Sequence, residues 1–384
     1  LGHASPVVWG DRVFVTTAIP FGDKVEPVPD DAPGAHDNAP VDRHQDFAVL
    51  AIDRRTGAVL WQRSLFKGLP PAGAHNSASL ASGSPITDGE SLFAYFGSLG
   101  IYCLDMTGKL RWKQDLGDMS VKHGHGEGAS PVLHGDTLVV NWDHEGQSFL
   151  VAMDKRTGAR RWRVERSEVT SWSTPIVVTH AGKQQLIVAG TSCVRGHDLK
   201  TGELIWQCRG LSNNIVASPV AADGMVIIGS SYVRRAMLAI RLEGASGDIT
   251  DTDRVAWRRT RRTPYVPSPL LHGRWVYFLN HYQGVLSRID AKTGKEPLGP
   301  FRVQGAFNIY ASPVAAKDRI YVTDREGLTV VMSHTDGVPK ILAQNQLDDG
   351  FSASAAIVGE DLFLRGHHFL YCLARPEKRP RQGK

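Results

Sequence analysis

His123, His125 and Glu127 lie in the run HGHGEG at 123–128. They alternate, so an extended backbone would point all three side chains the same way. Two imidazoles and a carboxylate form a donor set suited to Zn²⁺ or another transition ion. Asp143 and His144, in NWDHEG at 141–146, can extend that set. A glycine-rich polar loop with hydrogen-bonded histidines would carry the same residues, so two readings stand at this point. Catalytic signatures are missing: there is no G-x-S-x-G, H-E-x-x-H, Walker loop or C-x-x-C. The four cysteines, Cys103, Cys193, Cys208 and Cys372, include no adjacent pair. Cys193 and Cys208 flank the turn around Lys200-Thr201. An even four-residue loop there would set them opposite each other, with Cα atoms about 4.5 Å apart, near the range of a disulfide. A bridge would suit an oxidising compartment, whereas a one-residue bulge would put the two thiols on opposite faces.

These residues hang on a repeated frame. FLVAMDKRTGARRWR (149–163) reads as a strand, a turn and a returning strand. The Asp accepts backbone N–H groups and the Thr-Gly pair supplies a positive φ. It recurs as FAVLAIDRRTGAVLW (47–61), IYCLDMTGKLRW (101–112) and VRGHDLKTGELIW (194–206), with a decayed copy at 285–301. The turn aspartates are Asp53, Asp105, Asp154, Asp198 and Asp290, and the tryptophans Trp61, Trp112, Trp162, Trp206 and Trp257. The tryptophans are expected to pack between repeats near the outside. Each hairpin follows a Ser/Thr-Pro step at Ser5, Ser84, Ser130, Thr174, Ser218, Ser268 and Ser312; Ser354-Ala355 is an eighth without proline. Successive steps stand 79, 46, 44, 44, 50, 44 and 42 residues apart. A period in the low forties with several strands per unit predicts an all-β, eight-bladed propeller built as a single domain over residues 1–374. Strands A to D follow in order within each blade. A polar loop is inserted between B and C of blade one at about 20–46. The last blade is predicted to lack its outer strand, which would come from a segment preceding Leu1.

Net charge is +5, but the tail at 375–384 holds five basic residues and one acid. The body is therefore almost neutral and offers no footprint for nucleic acid. The tail is expected to be disordered. No apolar run is long enough to span a bilayer.

The D-x-x-T-G-x-x-x-W pattern resembles the pyrroloquinoline quinone (PQQ) repeat, the tryptophan-docking motif of bacterial quinoprotein dehydrogenases. The same repeat builds outer-membrane assembly propellers of the BamB type. The resemblance implies a periplasmic or cell-envelope protein and a non-catalytic binding or scaffold role, with membrane association only through an anchor outside this chain and a monomeric state. A quinoprotein-like dehydrogenase, or a metal-assisted enzyme using the same face, is the alternative. Quinoproteins stack the quinone on a vicinal cysteine pair and hold Ca²⁺ with Glu, Asn and Asp. The vicinal pair is missing here, so PQQ is not expected and a metal ion is the one open cofactor.

In such a ring the D–A and B–C connections emerge on one face. The A–B turns, such as WGDR and HGDT, and the Thr-Gly turns emerge on the other and are repetitive. The irregular face carries His36, His44, His75, Trp172, Asn213, Asn214, Tyr232, Arg234, Arg235, Tyr265, His281, Tyr282, Tyr310, Arg325, Arg365 and His367. A protein partner or a polar small-molecule ligand is expected there. His123, His125, Glu127 and His144 should stand on one side, with Arg234, Arg235 and His281 across from them.

Overall fold

The computed structural model of the chain describes residues 2–28 and 31–374. The basic tail expected to be disordered lies outside the described residues.

Eight antiparallel sheets stand in a ring, an eight-bladed β-propeller. Blade three is a regular example, with strands Val132–His134, Thr137–Trp142, Ser148–Asp154 and Arg160–Arg166 paired in chain order. Blade eight has three strands, Ala356–Val358, Asp361–Arg365 and Leu370–Leu373. Strands B and C lie between neighbouring sheets and are covered on both faces. That is why SLFAY (91–95) and TLVVNW (137–142) are buried throughout and do not alternate. The core is accordingly interblade. Ile187, Val194 and Trp206 of blade four, for instance, pack with Val226, Ile228 and Leu238 of blade five. Helical structure among the described residues is two 3₁₀ turns, Gly97–Leu99 and Lys122–Gly124.

The recurring motifs weld one blade to the next. The Asp154 carboxylate accepts the N–H groups of Arg156 and Thr157 at 3.0 and 3.1 Å, and Asp53, Asp105, Asp198 and Asp290 hold their turns alike. Trp61, Trp112, Trp162 and Trp257 each reach the next blade's turn. Their Nε1–H groups donate to the carbonyls of Met106, Lys155, Leu199 and Ala291 at 2.9–3.2 Å. Their rings lie where a Cβ on Gly108, Gly158, Gly202 or Gly294 would stand, so the Thr-Gly glycine serves both the positive φ and the approach of the ring. Trp206 departs from this, because blade five has no Asp-x-x-Thr-Gly turn. It is fully buried, donates to Gln185 Oε1 at 2.8 Å, and is covered by the longer turn that carries Ala245 and Ile249. Gly247–Asp248 of that turn pairs in parallel with strand D of blade four.

Around the axis the Ser/Thr-Pro steps form a second set of links. The Ser5 amide donates to the Ser84 hydroxyl at 2.9 Å, Ser84 to Ser130, Ser130 to Thr174, Thr174 to Ser218, Ser218 to Ser268, Ser268 to Ser312 and Ser312 to Ser354, all at 2.9–3.1 Å. The strand A segment Val7–Trp9 lies against both Ile86–Thr87 and Ala356–Val358, which closes the ring. Polar bonds seal that closure: Arg54 Nε donates to Asp361 at 2.9 Å, and Arg365 Nη1 to the Ala4 carbonyl at 3.0 Å.

Of the two outcomes the sequence left open for Cys193 and Cys208, the bulge is the one observed and the bridge does not form. The C–D hairpin of blade four slips by one residue between Gly196 and His197, so Cys193 faces Arg209 and Cys208 faces Val194. Adjacent register positions point to opposite faces of a sheet. Both thiols are free and buried.

Two outcomes follow. Ser218→Ala strands the Thr174 amide and should lower stability in urea unfolding by about 1–3 kcal/mol, whereas Ser218→Thr, the residue already used at 174, should cost far less. Thiol titration of the denatured, unreduced protein should give all four cysteines.

Candidate functional site

The Ser/Thr-Pro links fix the phase of every blade, and with it the side chain two residues upstream. Those eight residues are His3, Ser82, Gly128, Trp172, Val216, Val266, Tyr310 and Ser352. All eight line one cavity of about 370 Å³ at the axis. The D–A and B–C connections supply the rest of its wall. His36, His75, His125, Glu127, Asn214, Tyr232, Tyr265 and Tyr282 come from those connections. The cavity therefore opens on the irregular face.

Its two sides differ. One is aromatic: Tyr282 stacks on Tyr310 with centroids 4.7 Å apart and planes at 7°, and Tyr265 lies 5.5 Å from Tyr282, 5.9 Å from Tyr232 and 4.8 Å from His281. Burial and neighbouring hydroxyls push the Tyr282 phenol well above its ordinary range, so it is a neutral hydrogen-bonding group. The other side is imidazole. His36 stands 5.1 Å from His123 and 4.8 Å from His125, and His75 stands 4.7 Å from His125. Trp172 stacks on His125 and donates its Nε1–H to the Gly126 carbonyl at 2.8 Å. Burial and the neighbouring rings lower His125 to about 4, and burial lowers His3 to about 3. His125 and His3 are therefore neutral near pH 7. Asn214 adds a buried amide oxygen that has no partner.

The insertion in blade one, read from sequence as a loop, is tied down at this corner. Asn38–Ala39 pairs with Ala74–His75 as a two-stranded sheet, and a bridge joins Val28 to Val41. A second cavity of about 410 Å³ adjoins the first and shares His3 and His75; Arg325, His367 and Val41 also line it. Arg325 lies 4.7 Å over the Tyr310 ring.

The metal set that HGHGEG and NWDHEG could supply, one of the two readings of those residues, is not assembled among the described residues. The 3₁₀ turn at Lys122–Gly124, with His123 at φ 56°, breaks the alternation that would have aligned His123, His125 and Glu127. Glu127 turns to blade two and accepts from both the Ser98 hydroxyl and the Ser98 amide. Asp143 is fully buried in an ion pair with Arg166 Nε at 2.9 Å and accepts from Ser171 at 2.7 Å. His144 accepts the Ser120 amide and pairs with the Gln147 carbonyl. These three fasten loops. Nor do Arg234 and Arg235 stand across the cavity: Arg234 is bonded to the Leu211 carbonyl, Arg235 is exposed, and tyrosines fill that wall. Arg365 is buried at the blade closure, His44 packs tilted against Phe21 with ring centroids 5.7 Å apart, and Asn213 lies outside the cavity lining. His3, Ser82, Gly128, Val216, Val266 and Ser352 escaped the sequence reading. Their signal was present as a fixed offset from the Ser/Thr-Pro step.

The family model described as outer membrane protein assembly factor BamB matches residues 45–297, more than half of the chain. The chain belongs to the BamB family. BamB from Moraxella catarrhalis superposes with a TM-score of 0.61 at 14% identity, covering 92% of this chain and 96% of that one. A europium-containing methanol dehydrogenase gives 0.63 at 13% identity, over 94% and 81%. The computationally designed Ika8 protein gives 0.59 at 11%, over 97% and 99%. No curated protein matches the sequence. At these identities the structural neighbours establish the propeller fold.

Burial lifts the Glu127 carboxyl from its ordinary 4.5 to about 7, against the opposing bonds from Ser98 and with a smaller push from Asp118. The native state thus holds a proton between about pH 4.5 and 7 that the unfolded chain releases. The stability contributed by this group is complete below 4.5 and is lost as pH rises through 7. Glu127→Gln should match the native protein in melts at pH 5 and exceed it at pH 8, by a difference on the order of 3 kcal/mol.

Proposed function

We propose that this BamB-family propeller is a non-catalytic binding protein of the cell envelope. On this reading it takes an aromatic or polar segment of a protein partner into the channel mouth on the face of the D–A and B–C connections. The observation that carries the reading is the cavity itself. It is walled by four tyrosines, Trp172 and the imidazoles of His3, His36, His75 and His125, with the buried Asn214 Oδ1 left without a partner beside them. Aromatic side chains with polar tips are the groups that anchor protein interfaces. A concave apolar site with a few convergent polar atoms is the usual form of a binding pocket. Family membership supports the envelope location and a protein partner. No helix among the described residues is long and apolar enough to cross a membrane.

The methanol dehydrogenase neighbour favours a second reading, a quinone-dependent enzyme. The donor set here does not fit one. None of the four cysteines is adjacent to another or lines the cavity, and the carboxylate in its wall, Glu127, is engaged by Ser98.

Peptides selected from a random library against the immobilised protein test the binding reading. Tyr282→Ala and Trp172→Ala should each weaken the selected peptides by about 2 kcal/mol, roughly thirtyfold, while Asp223→Ala and Asp318→Ala on the opposite face should leave them unchanged. The reverse pattern, or equal loss in all four variants, overturns the assignment of the face.

A further inference from the structure

Two connections of separate origin bring three histidines to one point. His36 comes from the insertion, and His123 and His125 from the connection between blades two and three. Their ring centroids lie 5.1, 4.8 and 5.3 Å apart. For imidazoles bound through Nε2 at the usual metal–nitrogen length, tetrahedral geometry puts ring centroids about 5.3 Å apart. We propose that His36, His123 and His125 form a binding site for a divalent transition ion of the zinc class, at the imidazole corner of the cavity that His36 and His125 help to line.

The outer hydrogen bonds suit that role. His36 Nδ1 lies 2.8 Å from the Gly34 carbonyl and His123 Nδ1 lies 3.2 Å from the Pro33 carbonyl. A carbonyl only accepts, so each Nδ1 carries the proton and each Nε2 is left as a lone-pair donor. Ligating histidines are oriented by such a bond. The third donor, His125 Nε2, is buried and has no partner.

The backbone is held for the purpose. Asp37 and His123 sit at φ 55° and 56°, a region that non-glycine residues seldom occupy and that clusters at functional sites. A Cβ on Gly34 would come within 2.9 Å of His123 Nδ1. Asn38 Nδ2 donates to the His123 carbonyl at 2.7 Å, the His75 amide to the His125 carbonyl at 3.2 Å, and the Asn76 amide to the Asp37 carbonyl at 2.7 Å. The segment 31–39 reads DAPGAHDNA and has no large apolar side chain to bury. Polar ties at the histidines therefore hold it there. The rings now meet at 51–73°, and no three donors among the described residues stand together in ligating geometry. Binding therefore requires the rings to turn until the three Nε2 atoms converge, at the centroid spacing they already have.

The experiment is calorimetric titration of the chelator-stripped full chain with Zn²⁺, with Co²⁺ as the spectroscopic probe. One equivalent should bind, Co²⁺ should give the intense visible bands of a tetrahedral site, and Zn²⁺ should slow proteolytic cleavage within 22–43. His36→Ala and His125→Ala should each lose more affinity than the roughly 10–100-fold of an outer-shell change. His44→Ala, at the start of the strand that follows the insertion, and Tyr282→Ala, in the partner cavity, should bind Zn²⁺ as the native chain does. Metal-free melting temperatures establish that the variants are folded. Absence of stoichiometric binding, or undiminished binding by folded His36→Ala and His125→Ala, overturns the site. Loss of peptide binding without loss of Zn²⁺ separates this inference from the partner reading.

Discussion

The hydrogen bond from one blade's strand A amide to the next blade's Ser or Thr hydroxyl is the constraint on which the rest of the ring depends. Such a bond needs a donor and an acceptor within about 3 Å, so it fixes how far each sheet stands from its neighbour at the axis. Seven of these links run from Ser5 to Ser354. Strand A is an inner edge whose amides have no further strand to pair with, and an unpaired buried amide is costly. Proline after the hydroxyl residue removes one such donor and restricts the preceding residue to an extended shape. The short Ser/Thr-Pro step thus solves an edge problem and a spacing problem together.

The outer rim solves the complementary problem by packing. Each regular tryptophan closes on the next blade's glycine and caps a carbonyl in the same turn. The two sets of links lie at opposite ends of the sheets. Between them, strands B and C need only be apolar on both sides. Blade four tolerates the missing turn on blade five because the longer loop there brings Ala245 and Ile249 to cover Trp206. Where the polar cap of the next blade is absent, burial and the Gln185 oxygen substitute for it.

Much of this was legible from residues alone, because repetition makes a sequence its own alignment. Blade number, strand order, the short last blade and the irregular face all follow from the period and from turn chemistry. Three things did not. The Cys193–Cys208 pairing turned on a one-residue bulge beside Trp206, which no local pattern announces. The alternation argument at His123, His125 and Glu127 failed because it assumed an extended backbone, whereas His123 adopts a left-handed conformation within a tight turn. The arginines expected across the channel were placed by loop membership, but a loop residue can point outward or bond its own backbone, as Arg234 does to Leu211. The cavity wall was readable by a stricter rule, a fixed offset of two residues from each Ser/Thr-Pro step.

That offset also shows where individuality enters an otherwise repetitive ring. The frame demands the same hydroxyl and the same turn in blade after blade, so those positions carry no specificity. The residue two before the hydroxyl faces the channel and is free of the frame's bonding rules. Here it is histidine, serine, glycine, tryptophan, valine, valine, tyrosine and serine in turn. Bulky rings at 172 and 310 narrow the cavity, while Gly128 and Ser82 leave room. The room adjoins the corner where the insertion brings His36. An imidazole corner facing a wall of stacked phenols follows from those few free positions, and a symmetrical scaffold acquires a one-sided site without altering a single blade-to-blade link.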